Sequence, residues 1–99
     1  MYAVIFQAEL GDIDMEYSDT VQRMRELATQ HGCFDFISVT EGAKEISISY
    51  WPSKEHITVW KNNPEHKKAQ ELGRKKWYKS YRVEITEIVH KYQIDDNQY

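Results

Sequence analysis

The side chains best suited to chemistry lie in one stretch of this 99-residue chain, between positions 56 and 82. Trp60 can stack on an aromatic ring, and His66 can accept a proton near neutral pH, where an unperturbed imidazole titrates. His56 supplies a second imidazole, and Arg74 or Arg82 can hold an anion. These side chains are the candidates for a site that binds a small organic molecule.

Each of these side chains also has an ordinary structural explanation. Trp60 and Trp77 are of a type that is usually buried, so both can belong to the core. His66 follows a helix start signal, and the helix dipole there disfavours an imidazolium. This placement favours a neutral, base-like His66, but an exposed surface histidine remains the alternative. For His56, too, an exposed surface position is the alternative to a role in binding.

Other kinds of site are not indicated. The sequence contains no Cys-x-x-Cys pair and no glycine-rich phosphate loop, and its histidines and carboxylates are not arranged at metal-ligand spacing. The only cysteine, Cys33, cannot form an intramolecular disulfide and is expected to be a small buried residue. We therefore expect neither a metal nor a bound cofactor.

Charge is distributed unevenly along the chain. Positions 54–82 carry nine Lys or Arg against three Glu, although the whole chain has a net charge of −3. An overall pI of about 5.8 argues against nucleic-acid binding. The basic segment is either a solvated helix face or a surface that attracts an anionic ligand.

The distribution of apolar residues also argues against a membrane-spanning protein and against a signal peptide. No stretch approaches the roughly 20 apolar residues that a membrane span needs. The N-terminus has neither a basic start nor a long apolar run, so no signal peptide is expected. A cytoplasmic protein without membrane contact is the simplest expectation.

The elements that must position these side chains follow from periodicity and from start and stop signals. Apolar residues at helical spacing predict amphipathic helices, and alternating residues between turn signals predict strands. The predicted elements are a strand over 2–9, a helix capped by Asp14 or Ser18 and ending near His31-Gly32, strands over 33–40 and 44–51, a short helix capped by Ser53, a helix from Asn63-Pro64 to about Ser80, and a strand from Tyr81 to about Tyr92.

This order, β-α-β-β-α-β, is typical of an α+β ferredoxin-like fold with an antiparallel sheet and helices on one face. We expect one domain over 1–94 and a polar tail over 95–99. The first strand is apolar on both sides, with Val4 and Phe6 on one face and Ala3 and Ile5 on the other. The sheet face without helices therefore needs cover, and we predict a homodimer in which two sheets pack face to face.

A set of aromatic and turn residues carries a resemblance to a known family. These are a strand ending in Tyr50-Trp51, a short helix ending in Trp60, the run Asn63-Pro-Glu-His66, and Trp77-Tyr78 near the last strand. Together with the order of elements, they resemble the antibiotic biosynthesis monooxygenase domain family. The resemblance implies two ferredoxin-like protomers that form a dimeric α+β barrel.

The resemblance also implies candidate site residues. Family members that degrade haem use a helix Trp, an Asn on the first strand and a His about ten positions beyond the Trp. Trp60 matches the first, whereas Gln7 and Gln70 stand at the other two positions. An amide is a poor axial iron ligand compared with imidazole, which argues against haem degradation by that mechanism.

Members that oxygenate quinols need no metal or flavin, and this branch supplies the leading hypothesis. It is a cofactor-independent monooxygenase that uses molecular oxygen on a small phenol or hydroquinone, with His66 and Trp60 as catalytic residues. The expected substrate-binding residues are Gln7, His56, Gln70, Arg74 and Trp77. The resemblance implies that the substrate binds in a pocket between sheet and helices. The alternative is a non-catalytic dimeric module that binds a small molecule or a haem-like ligand in the same pocket.

Overall fold

The computed structural model describes residues 1–95, so the predicted tail beyond Asp95 lies outside the described residues. Within them the chain forms four strands and three α-helices, the last of which continues into a π-helical turn. The elements are β1 (Tyr2–Leu10), α1 (Met15–Gln30), β2 (Asp35–Glu41), β3 (Lys44–Trp51), α2 (Lys54–Lys61), α3 (Pro64–Leu72), the π turn (Gly73–Trp77) and β4 (Tyr78–Glu87).

The helices begin where the sequence predicts, because each start has a side-chain cap. Asp14 accepts a hydrogen bond from the Tyr17 amide, and Ser53 accepts one from the His56 amide. Asn63 accepts from two amides of α3, whose first residue is a proline. Each cap satisfies amides that have no partner within their helix. At the other end of α1, Gly32 has φ +106°, which confirms a glycine-dependent stop.

The strands form one antiparallel sheet in the order β2-β3-β1-β4. The first strand is therefore an inner strand, with β3 on one side and the last strand of the chain on the other. This arrangement confirms the predicted α+β ferredoxin-like fold. No helix within residues 1–95 is long and apolar enough to cross a membrane.

The junction between α3 and β4 differs from the prediction of a helix to about Ser80. The α-helix ends at Leu72, the π turn follows, and β4 begins at Tyr78 and ends at Glu87. Gly73 permits this path, because a Cβ there would lie 2.5 Å from Cε2 of the Tyr78 ring. The register between β1 and β4 shifts where Leu10 pairs with Tyr78, at the start of the strand.

The orientation of β3 is the feature of the fold that matters most for the site. Its polar residues Glu45, Ser47 and Ser49 face the helices, and its isoleucines lie on the helix-free face. A sheet packed on helices normally turns its apolar residues toward them. Here, polar side chains lie inside the layer between sheet and helices.

The core beneath the helices is split into two clusters, one at each end of this layer. One contains Trp51 with Ala28, Cys33 and Ile57. The other contains Trp77, Leu10 and Tyr17. Cys33 is buried, as predicted. The space between the two clusters is not filled by side chains, and it forms a cavity.

Candidate functional site

A cavity of about 510 Å³ lies between the helices and the sheet face that they cover. Its walls are mostly apolar, with Val4, Phe6 and Phe36 from the sheet and Met24 and Ala69 from the helices. Its polar groups come from both layers. The inward-facing residues of β3 supply one carboxylate and two hydroxyls, and the helices and β4 supply Thr20, Arg25, Lys61, His66, Gln70, Tyr78 and Tyr81. A cavity of this size, apolar with a few placed polar groups, is typical of a small-molecule site.

At one end of the cavity, the imidazole of His66 stacks on the indole of Trp60. The ring centroids are 4.2 Å apart and the planes differ by 21°. The short helix α2 carries Trp60 and the first turn of α3 carries His66, so the turn at Asn63 brings the rings together. Trp60 also contacts Trp51 and His31, with ring centroids 5.9 Å and 5.7 Å away. These contacts fix the position of the indole.

The environment of His66 favours its neutral form. Burial lowers the pKa of His66 from its ordinary value, and the backbone carbonyls of Trp60 and Lys61 only partly oppose this effect. Its Nδ1 is buried and makes no hydrogen bond with any residue in the range 1–95. A neutral imidazole on a cavity wall can accept a proton from a bound acid at neutral pH.

At the other end of the cavity lies a buried carboxylate surrounded by phenols. Glu45 is 7% exposed, and its Oε2 accepts a 2.6 Å hydrogen bond from the Tyr17 hydroxyl. Burial and the interaction with Glu45 raise the pKa of Tyr17. Burial, followed by the charge of Glu45, also raises the pKa of Tyr78. Both phenols are therefore protonated hydrogen-bond donors at neutral pH.

Of the residues expected to bind substrate, Gln70 and Trp77 lie on the cavity wall with Trp60 and His66. The Trp77 indole is buried, and its Nε1 donates to Oδ1 of Asp14 at 3.1 Å, which ties the π turn to the start of α1. Trp77 therefore combines a core position with a wall position. Gln70 presents an amide at the same cavity.

The other expected binding residues lie outside the cavity. His56 is exposed, and its Nδ1 lies 2.6 Å from the Ser53 hydroxyl. Arg74 is exposed and donates to the hydroxyl of Tyr81, a cavity residue, at 3.0 Å. The structure thus connects Arg74 to the cavity only through Tyr81.

Gln7 lies on the opposite face of the sheet from Trp60. It pairs with Arg82 and Ile46 and lines a separate depression of about 570 Å³. The preceding residue, Phe6, is the one that faces the cavity. The side chains of a strand alternate between faces, so a shift of one position moves a residue to the other side.

The sequence did not identify Glu45, Tyr17 or Tyr81 as site residues. Glu45 alternates with isoleucines along β3, and such a residue normally points to solvent. A signal was nevertheless present, because Glu45, Ser47 and Ser49 follow one face of a strand whose other face is continuously apolar. Among the described residues, no group of three or more His, Cys, Asp or Glu is placed to hold a metal ion.

Comparisons with known proteins identify relatives of this chain. The family model described as antibiotic biosynthesis monooxygenase matches residues 11–72. An uncharacterized protein of Bacillus subtilis (strain 168), YqjZ, is 37% identical over 98 residues, which cover 97% of this chain and 86% of that protein.

Solved structures share the fold. A crystal structure of an antibiotic biosynthesis monooxygenase superposes with a TM-score of 0.76 at 14% identity, covering 91% of this chain and all of that chain. An N63A mutant of SnoaB, a cofactor-independent oxygenase from Streptomyces nogalater, superposes with a TM-score of 0.78 at 8% identity, covering 91% of this chain and 94% of that one. With the matching family model and the bacterial relative, these findings show that the chain belongs to the antibiotic biosynthesis monooxygenase family.

Proposed function

We propose that the protein is a cofactor-independent monooxygenase of a hydroquinone-type aromatic substrate that binds in the cavity between sheet and helices. The observation that carries this proposal is the stacked pair of Trp60 and His66 on the cavity wall. In this pair, a flat indole lies beside an imidazole that burial keeps neutral. The same family and fold include a cofactor-independent oxygenase, which supports the assignment.

The chemistry follows from the substrate's own reactivity. His66 takes a phenolic proton, and the resulting phenolate gives up an electron to oxygen far more readily than the phenol does. Recombination of the two radicals forms a carbon–oxygen bond. Loss of water then leaves a hydroxyquinone, so that one hydroquinone and one O₂ give one hydroxyquinone and one H₂O. The protein contributes the base, the orientation and exclusion of water.

The test is oxygen consumption by the purified protein over a panel of hydroquinones, with EDTA present and haem and flavin absent. We expect uptake above the uncatalysed autoxidation, with one O₂ consumed per hydroquinone and a product 14 mass units heavier, since ~14 is the balance of one oxygen gained and two hydrogens lost in this stoichiometry. Uptake without oxygen insertion would identify an oxidase instead. Uptake equal to the autoxidation rate across the panel would contradict the proposal.

The second candidate is a binding module that uses the same cavity without turnover. The observation that favours it is the position of Arg74 and Arg82, because the structure places neither guanidinium on the cavity wall. The cationic side chains that line the cavity are instead Arg25, which already donates to the backbone carbonyl of Phe36 at 3.0 Å, and Lys61. A developing anion would rely on these two and on the phenols of Tyr78 and Tyr81. Ligand binding without oxygen uptake is the result that selects this candidate.

We further propose that the protein acts as a homodimer through the helix-free face of its sheet. A row of three isoleucines crosses the adjacent strands β2, β3 and β1, where Ile37 pairs with Ile48 and Ile48 pairs with Ile5. Val39 and Ile46 form the next row. Ile37 and Val39 are more than half exposed, and such apolar rows are typical of interfaces.

Replacing Ile37 by glutamate should weaken the dimer about 30-fold or more, since burying an unpaired polar or charged group costs on the order of 2 kcal/mol or more. Ile37 is 53% exposed in the protomer, so the fold should survive. Sedimentation velocity over a range of concentrations measures the effect. The control is the same exchange at Val59, which is 60% exposed on α2. A monomeric wild type, or an unchanged dimer in Ile37→Glu, would exclude this interface.

A further inference from the structure

The carboxylate of Glu45 has fewer hydrogen bonds than a buried charge requires. Its one short bond is the 2.6 Å contact from Tyr17 to Oε2. Oε1 has only Ser38, whose hydroxyl is 3.4 Å away. A carboxylate offers about four lone-pair sites, and a buried one is normally satisfied by several donors or by a cation. Oε1 therefore retains capacity for a further donor.

Within residues 1–95, no cationic side chain lies within ion-pair distance of this carboxylate, although Arg25 and Lys61 line the same cavity. The ion pairs within residues 1–95 all involve other acidic residues, at positions 14, 16, 65 and 84. The groups around Glu45 are instead phenols, which is why its charge contributes to the raised pKa of Tyr78. A buried carboxylate without a cation is costly, and buried charged groups that line a cleft are enriched at functional sites.

Glu45 lies on the cavity wall at the end remote from the stacked pair. It precedes Trp51 by six residues on β3, and both side chains face the helices. At about 3.4 Å per residue, this separation is on the order of 20 Å along the strand. Across the sheet, Ala8 separates Glu45 from Tyr81, and this small side chain leaves the carboxylate open to the cavity.

We propose that Glu45 accepts a hydrogen bond from a hydroxyl group at the far end of the ligand and so selects ligands that carry one there. Tyr17 is a positioning residue that holds the carboxylate through Oε2 and leaves Oε1 free. The inference rests on the proposed function in one respect only, namely that the opposite end of the ligand reacts at His66. It adds a specificity-determining residue that the chemistry at His66 does not require.

The test uses two ligands that differ in one donor and that oxygen does not alter. These are 2-(hydroxymethyl)anthraquinone and 2-ethylanthraquinone, which have nearly the same shape. Binding is followed by quenching of tryptophan fluorescence, because Trp51, Trp60 and Trp77 all line the cavity. We expect the wild type to bind the hydroxymethyl compound about tenfold more tightly, as one hydrogen bond to a charged group predicts.

In Glu45→Gln this preference should fall to about twofold or less, with binding of the ethyl compound unchanged, because the free charged acceptor is lost. Glu41→Gln is the matched control, since Glu41 is exposed and lines the depression on the other sheet face. Equal binding of the two compounds by the wild type would overturn the proposal. So would a preference that survives in Glu45→Gln, or an absence of binding by both compounds.

The outcome is independent of catalysis. A wild type that shows the preference but no oxygen uptake would refute the monooxygenase and retain Glu45 as a ligand anchor. Oxygen uptake without the preference would support the monooxygenase and refute the role of Glu45 as a ligand anchor. Circular dichroism of Glu45→Gln, compared with the wild type, verifies that the buried substitution leaves the fold intact.

Discussion

Replacing His66 by phenylalanine should lower kcat for hydroquinone oxygenation by about a hundredfold to ten-thousandfold, the usual contribution of a general base. Phenylalanine preserves a flat ring beside Trp60, where the imidazole now lies 4.2 Å from the indole. The wall of the cavity is thus retained and the proton acceptor is removed. KM should change little, and steady-state oxygen uptake measures both constants.

The control for this prediction is the same exchange at His90, an exposed histidine beyond the end of β4. His90→Phe should leave kcat and KM at their wild-type values. If His66→Phe retains full turnover, His66 is not the base. If KM rises and kcat is unchanged, the imidazole binds the substrate but does not take its proton.

The pH profile provides a second measurement of the same residue. The pKa of His66 lies below its ordinary value of 6.5 because burial disfavours the imidazolium. The neutral base therefore persists as the pH falls through 6.5, and the acid limb of kcat/KM should appear only below that value. The linked effect on stability has the same sign. The unfolded chain binds the proton more readily, so stability contributed by neutral His66 is lost as pH falls below 6.5.

Replacing Trp51 by alanine should lower the free energy of unfolding by about 3–5 kcal/mol, the range for removing a large aromatic from a core. Trp51 has 0% exposure and belongs to the cluster with Ala28, Cys33 and Ile57. Its Nε1 also donates to the hydroxyl of Ser49 at 2.9 Å, which would lose its partner. Domains of this kind have total stabilities of about 5–15 kcal/mol, so the variant should be close to unfolding.

Urea denaturation at a fixed protomer concentration measures this loss, because any dimer would make the midpoint depend on concentration. Trp51→Phe should show a smaller loss and remain folded if Trp51→Ala does not. Val59→Ala, on the exposed side of α2, should change the free energy by no more than about 0.5 kcal/mol. A loss below about 1 kcal/mol in Trp51→Ala would mean that the cavity collapses around the missing ring.

Local signals predicted the starts of the helices, whereas the wrong end of α3 depends on contacts between residues that local signals do not describe. The caps at Asp14, Ser53 and Asn63 act within three residues, so the sequence contains everything they need. The end of α3 depends instead on Tyr78 packing over Gly73, which no periodicity displays. The sequence did contain one indication of the π turn, because Leu72 and Trp77 are five residues apart, which is the spacing of such a turn.

The candidate site was predicted in part for the same reason. Trp60 and His66 are joined by a short turn, so their proximity followed from two adjacent helix signals. Glu45 reaches the cavity only because β3 turns its polar face inward, and that choice depends on what covers the other face. The error at Gln7 has a related origin, since a pattern of alternation does not state which face meets the helices.

The position of β1 has a consequence for folding while the chain is still being synthesised on the ribosome. β1 pairs on one side with β4, the strand farthest from it in sequence within residues 1–95, so this edge of β1 stays open until β4 has also been synthesised. Both faces of this strand are apolar, and an unpaired apolar edge readily recruits other chains. The nascent chain therefore passes through a period of vulnerability to aggregation that the finished protein does not share.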